Sequence, residues 1–185
     1  SAKQTGNFNS SDEIYNHIFA INRQGITSNL YSSITDCPHR EKAAWMNDIN
    51  FTLPSFPAIY DMSDYIPKII QDIAESQQPI DSSNPFTCSP FYDITSMRFP
   101  WTMYQQYGDK QVLQEQYDVA KTSLAYLTSK SSGYLIDYGL GDWLSPNKVE
   151  REFIETCVYY DFVHYMAKWA EVIEKPEDVN YYNTL

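Results

Sequence analysis

The residues ITSMRFPWTMYQQYGDKQVLQEQYDVAKTSLAYL, at positions 94–127, predict two helices joined by a tight turn. Gly108 is typical of the residue that ends a helix, and Asp109 is a good N-cap for the helix that follows. The apolar positions of the second helix recur at helical spacing, at Val112, Leu113, Ala120, Leu124 and Leu127. This stretch therefore predicts a helix over 94–107 and an antiparallel helix hairpin.

Helical patterns extend from this hairpin towards both ends of the chain. Ser10 and Glu13 have the spacing of a capping box, and a helix over 12–23 would carry Ile14, Ile18 and Ile21 on one face. Four more helices are predicted, one starting near Arg40, one capped by Ser63, one over 150–174 and one starting near Glu177.

Long loops separate these helices over 24–39, over 78–93 and after Gly133. Strand signals are scarce, so the sequence predicts an all-α fold of antiparallel helix hairpins in a single domain, 1–185. Long connections that alternate with short turns gather at one end of such a fold, where functional sites are usually built.

The charge and composition of the chain exclude several function classes. Its 185 residues carry 13 basic and 24 acidic side chains, and the formal net charge of −11 argues against nucleic acid as a partner. No window approaches the roughly 18 consecutive apolar residues that cross a bilayer, so no membrane insertion is predicted. The three cysteines are widely spaced without a Cys-x-x-Cys pair, which predicts neither a disulfide framework nor a zinc site. The compartment of the protein stays open.

The densest polar run is TDCPHREKAAWMND, residues 35–48, which contains the carboxylates of Asp36, Glu41 and Asp48. If a helix starts near Arg40, then Glu41, Trp45 and Asp48 share one face. Carboxylates that converge around an aromatic side chain suit carbohydrate chemistry, because acids bind sugar hydroxyls and can protonate a leaving oxygen. The same spacing also fits a helix-capping cluster with a solvated face, and spacing alone favours that interpretation.

This run resembles the signature of the bacterial α-L-rhamnosidases of glycoside hydrolase family 78. The resemblance continues in order through nearly the whole chain, at Pro100-Trp101, Tyr107-Gly108-Asp109, Gly141-Asp142-Trp143 and the stretch 159–178. It implies roughly the first half of an (α/α)6 barrel, from an enzyme that hydrolyses terminal α-L-rhamnosides with inversion. It also implies that no metal or organic cofactor takes part, and that the partner is a rhamnose-containing glycoside or oligosaccharide.

The resemblance also implies roles for individual residues. Glu41 occupies the position of the general acid of the family. The positions implied to bind the sugar or to support the acid are Asp36, Arg40, Trp45, Asp48, Tyr92, Asp142 and Trp143. The tryptophans would wall the rhamnose pocket, and Asp142 is a weaker match because it can instead orient its loop.

Two further expectations follow from the resemblance. The general base of the family lies downstream of residue 185, so this chain is expected to be inactive without the remaining half of the barrel. The chain also departs from the family pattern at Ala43-Ala44 and at Tyr92-Asp93-Ile94. These departures leave open an alternative, a degenerate, non-catalytic carbohydrate-binding or helical interaction domain.

Overall fold

The computed structural model describes residues 2–76, 90, 94–142 and 145–185. Within these ranges the chain forms eight helices and no strand, apart from three isolated β-bridges. The helices are α1 (Glu13–Asn29), α2 (Met46–Thr52), α3 (Ser55–Ile59), α4 (Tyr65–Ser76), α5 (Thr95–Tyr107), α6 (Lys110–Lys130), α7 (Arg151–Val172) and α8 (Pro176–Thr184). The predicted loop over 78–93 lies outside the described residues except for Pro90.

The chain folds as two compact units, Ser1–Ile69 and Ile70–Leu185. The second unit contains the predicted hairpin, with α5 and α6 joined as the sequence indicates. Gly108 ends α5 with a φ of 69°, a left-handed conformation that glycine adopts without steric cost. Asp109 then caps α6 by accepting hydrogen bonds from the amides of Gln111 and Val112. Both local signals are confirmed.

The core of the second unit lies between α6 and α7. Trp169 is fully buried, and its indole Nε1 donates a hydrogen bond of 2.9 Å to the carbonyl oxygen of Leu113. Its ring also meets Tyr117 edge-on, with the ring centroids 5.9 Å apart. The hydroxyl of Tyr117 in turn donates to Asp178 Oδ2 at 2.8 Å. These contacts join α6, α7 and α8, the last of which starts beside the predicted position near Glu177.

In the first unit, α1 runs six residues past the predicted end of the helix over 12–23, and Asp12 caps it instead of Ser10. Contacts with a later part of the chain explain the extension, because Ile26 is buried and the Thr27 hydroxyl shares a hydrogen bond of 2.5 Å with the Tyr60 hydroxyl. Ile26 is the only buried residue of α1. The predicted apolar face is exposed, at Ile14, Ile18 and Ile21.

The second predicted helix starts in a different place. It begins at Met46 instead of near Arg40, so the expectation that Glu41 lies on a helix is wrong. The chain continues through α3 to α4, which begins at Tyr65, two residues after the predicted cap at Ser63. Among the residues described, no helix has the length and apolarity needed to cross a bilayer.

Candidate functional site

The segment 36–43 is a closed loop, which explains why no helix starts at Arg40. The amide of Asp36 donates to the carbonyl of Ala43 at 2.9 Å, and the amide of Ala43 donates back to Asp36 Oδ1 at 3.0 Å. Lys42 adopts a left-handed conformation, with a φ of 54°, which lets the chain reverse between them. The aspartate side chain thus closes the loop on which Glu41 lies.

Glu41 and Trp45 meet without the help of a helix. The indole Nε1 of Trp45 donates a hydrogen bond of 2.7 Å to Glu41 Oε2, and the Glu41 amide donates to the Cys37 sulfur at 3.2 Å. Glu41 is exposed and Trp45 is partly buried. The contact holds one carboxylate oxygen of Glu41 beside an aromatic ring, which is an arrangement that a sugar can approach.

Asp48 lies in the first turn of α2, and its charge interacts with the other two carboxylates. Desolvation by the surrounding protein, with smaller contributions from the negative charges of Asp36 and Glu41, raises the pKa of Asp48. At Asp36 desolvation is outweighed by hydrogen bonds from the Cys37 side chain and the Ala43 amide, so its pKa is lowered. The two aspartates therefore lie in different electrostatic environments, one favouring the protonated carboxyl and the other the ionised one.

A cavity of about 520 Å³ opens beside this cluster in the first unit. Asp36 and Asp48 line it together with the polar side chains of Asn22 and Thr35 and the exposed ring of Phe51. The volume falls within the range of small-ligand sites, about 300–1,000 Å³. Glu41 and Trp45 are not part of the lining, so the cavity reaches two of the three clustered carboxylates.

Arg40 is exposed on the 36–43 loop, and none of the ion pairs among the described residues includes it. In the described part of the chain, no group of three or more histidine, cysteine or carboxylate side chains could hold a metal ion. Of the other predicted sugar-binding residues, Tyr92 and Trp143 lie outside the described residues.

Asp142 belongs to the second unit, in a loop whose residues 137–142 lie against α7. Three side chains of α7 bind the backbone or side chains at or beside this loop. Arg151 Nε donates to Asp137 Oδ1 at 2.7 Å, the Thr156 hydroxyl accepts from the Ile136 amide at 3.0 Å, and Glu155 Oε1 accepts from the Gly141 amide at 2.8 Å.

Glu155 is a residue that sequence reasoning missed, since an acid near the start of a helix is explained by the helix dipole alone. A signal was present in its spacing. Val158, Tyr159 and Phe162 follow Glu155 at helical intervals, and all of them are buried. A carboxylate on the apolar face of a helix predicts a buried acid with a specific partner.

Comparison with known proteins decides the family. The family model of the bacterial alpha-L-rhamnosidase 6 hairpin glycosidase domain matches residues 3–185. The chain belongs to this family. Its predicted fold class, all-α hairpins of an (α/α)6 barrel, is confirmed by a solved alpha-L-rhamnosidase from Dictyoglumus thermophilum. The TM-score is 0.90 at 29% identity, over 100% of this chain and 22% of that chain.

Two further α-L-rhamnosidases are similar to the chain. One from Formosa agariphila is 29% identical over 92% of this chain and 21% of its own length. The crystal structure of the Streptomyces avermitilis enzyme complexed with L-rhamnose has a TM-score of 0.89 at 24% identity, over 99% of this chain and 19% of that one, and shows a shared fold. The chain thus spans about a fifth of the length of these relatives.

Proposed function

We propose that this chain is the N-terminal part of the catalytic barrel of an α-L-rhamnosidase, and that the full-length protein hydrolyses terminal α-L-rhamnosides with inversion. The observation that carries the proposal is the contact of Glu41 with Trp45 in a loop closed by Asp36. Family membership supports it, as does the rhamnose complex of a protein with the same fold.

In this mechanism Glu41 donates its proton to the glycosidic oxygen as the bond from that oxygen to the anomeric carbon breaks. A water molecule attacks the opposite face of the anomeric carbon and gives up a proton to a second carboxylate, about 6.5–9.5 Å from the first. We assign that base to the remaining half of the barrel, so the 185-residue chain alone does not hydrolyse the substrate.

The remaining residues bind the sugar in this proposal. The hydrogen bond from Trp45 fixes the orientation of the Glu41 carboxyl, and the indole ring offers an apolar face to the C–H side of the sugar. Asp36 keeps its negative charge, because its pKa is lowered, and accepts hydrogen bonds from sugar hydroxyls. Asp48, Arg40, Asp142, Trp143 and Tyr92 complete the proposed set.

The test is hydrolysis of p-nitrophenyl α-L-rhamnoside by the full-length protein, the 185-residue chain and a full-length Glu41→Gln variant. We expect Glu41→Gln to lower kcat at least about 100-fold, because loss of a general acid costs roughly 10²–10⁴ in rate. Glu13→Gln, which removes an exposed carboxylate of α1 in the same unit, is the matched control and keeps full activity. An unchanged kcat in Glu41→Gln would remove Glu41 from the mechanism.

A second candidate function is carbohydrate binding without hydrolysis. The departures from the family pattern at Ala43-Ala44 and Tyr92-Asp93-Ile94 favour it. This alternative predicts that the full-length protein binds L-rhamnose in calorimetry but releases no p-nitrophenol.

A further inference from the structure

Glu155 is a fully buried carboxylate, and the helix dipole does not explain why an acid lies there. It is the fifth residue of α7, beyond the first turn, where the dipole is strongest. Its side chain is 0% exposed, and Oε2 has no hydrogen-bond partner among the described residues. Burying a charged group with an unsatisfied oxygen destabilises a protein, and an apolar residue of similar volume is often neutral or stabilising there. The position of Glu155 therefore calls for a role other than stability.

The backbone of the 139–141 loop is shaped around this carboxylate. Gly139 has a φ of 128°, and a Cβ built on it would lie 2.3 Å from Glu155 Oε1, so no side chain fits between the loop and the acid. Gly141 has a φ of 63° and donates its amide hydrogen to the same oxygen. Gly139 is needed for the close approach to Glu155, whereas Gly141 is favoured by its left-handed φ and by the Arg151 side chain, which a Cβ there would meet at 3.2 Å.

Other side chains of α7 bind the residues at the start of this segment. Arg151 binds both the carboxylate and the carbonyl oxygen of Asp137. Thr156 binds the amide of Ile136. Among the described residues, the hydrogen bond at Gly141 is the hydrogen bond to α7 nearest in sequence to Asp142.

We propose that Glu155 is a positioning residue, which fixes the backbone at Gly139 and Gly141 so that Asp142 is presented to the sugar. This inference rests on the proposed function, because it takes Asp142 as a sugar-binding residue. Glu155 itself is buried beneath the loop and does not touch the substrate. Its loss weakens binding through the loop, and the hydrogen-bond acceptor is the group that matters.

The test compares Glu155→Leu and Glu155→Gln in the full-length protein, with Glu152→Gln as a control that removes an exposed acid from the same helix. Amide hydrogen exchange of peptides covering 137–142 reports the loop, and KM and kcat for p-nitrophenyl α-L-rhamnoside report binding and chemistry. In Glu155→Leu we expect the amides of 137–142 to exchange about tenfold faster and KM to rise about tenfold. The kcat should stay within about threefold, because the lost interaction binds the substrate and the transition state equally. Glu155→Gln keeps an acceptor oxygen and stays within about twofold of the wild type in all three values.

A second variant keeps Glu155 but displaces its carboxylate from the loop. Gly139→Ala places a methyl group where the Glu155 carboxylate lies, so it gives the same rise in KM and in loop exchange if the reasoning is correct. Unchanged KM in both Glu155→Leu and Gly139→Ala would overturn the proposal, and so would a Glu155→Gln variant as impaired as Glu155→Leu. If the wild-type protein cleaves no rhamnoside, the proposed function fails, while the exchange rates still decide whether Glu155 holds the loop.

Discussion

Glu155 makes the stability of the chain depend on pH in the neutral range. Burial raises the pKa of its carboxyl to about 7, although hydrogen bonds from the Gly141 and Leu140 amides and the charge of Arg151 act in the opposite direction. In the unfolded chain the ordinary value is about 4.5. Because the folded state binds the proton more tightly, this group stabilises the fold fully below pH 4.5. That stabilisation is lost as the pH rises through about 7.

The magnitude follows from the two pKa values. One pH unit of difference corresponds to about 1.4 kcal/mol, so between pH 5 and pH 8 this carboxyl lowers the free energy of unfolding by about 2 to 3 kcal/mol. Glu155→Gln has the same shape and cannot ionise. Relative to the wild type, the variant therefore becomes more stable by about 2 to 3 kcal/mol as the pH rises from 5 to 8.

The assay is urea unfolding of the wild-type and Glu155→Gln chains at pH 5, 6, 7 and 8, followed by tryptophan fluorescence and far-UV circular dichroism. Other titrating groups such as Asp48 contribute equally to both chains and cancel in the difference. Glu152→Gln, on the exposed face of α7, serves as the control and shows no such trend. Parallel pH profiles for wild type and Glu155→Gln would refute the assignment of a raised pKa to this residue.

Two further predictions concern single contacts of the fold and use the same urea assay. Gly108→Ala forces an L-residue into a left-handed conformation at the end of α5, so it lowers the free energy of unfolding by about 1 kcal/mol. Gly25 lies inside α1 with open space around it, so Gly25→Ala raises the free energy of unfolding by up to about 1 kcal/mol. Equal effects at the two glycines would contradict the argument from φ. Trp169→Phe removes the hydrogen bond to Leu113 and part of a buried ring, so it lowers the free energy of unfolding by about 2 kcal/mol. A decrease below about 0.5 kcal/mol would show that this contact does not stabilise the packing of α6 on α7.

The parts of the fold that the sequence predicts correctly depend on signals within a few residues. Gly108 ends α5 and Asp109 caps α6 because both act on the backbone directly beside them. The predicted end of α1 and the predicted start of α2 are wrong, because contacts from farther along the chain decide both. A helix start near Arg40 is locally reasonable, but the pairing of Asp36 with Ala43 across seven residues closes a loop there instead.

The sequence predicts the candidate site as a set of residues and not as a geometry. It indicates that Glu41, Trp45 and Asp48 belong together. The structure joins the first two by a hydrogen bond, and the charges of Asp36 and Glu41 act on Asp48. The helical spacing behind that prediction does not apply, because Glu41 lies outside any helix. Sequence reasoning misses Glu155 because an acid near the start of a helix is explained by the helix dipole, although Glu155 shares a face with the buried Val158, Tyr159 and Phe162.

The two loops that carry predicted site residues are built in the same way but respond differently to pH. In each, a carboxylate accepts a hydrogen bond from a backbone amide of the loop, Asp36 from Ala43 and Glu155 from Gly141. Hydrogen bonds outweigh desolvation at Asp36 and lower its pKa, so its loop keeps an ionised acceptor throughout the neutral range. Burial raises the pKa of Glu155 to about 7, so the acceptor of the second loop gains a proton as the pH falls below neutral. A raised pKa means that the closed loop favours the protonated carboxyl, so the amides of 137–142 should exchange faster above pH 7 than the loop at 36–43 does, once intrinsic exchange rates are divided out.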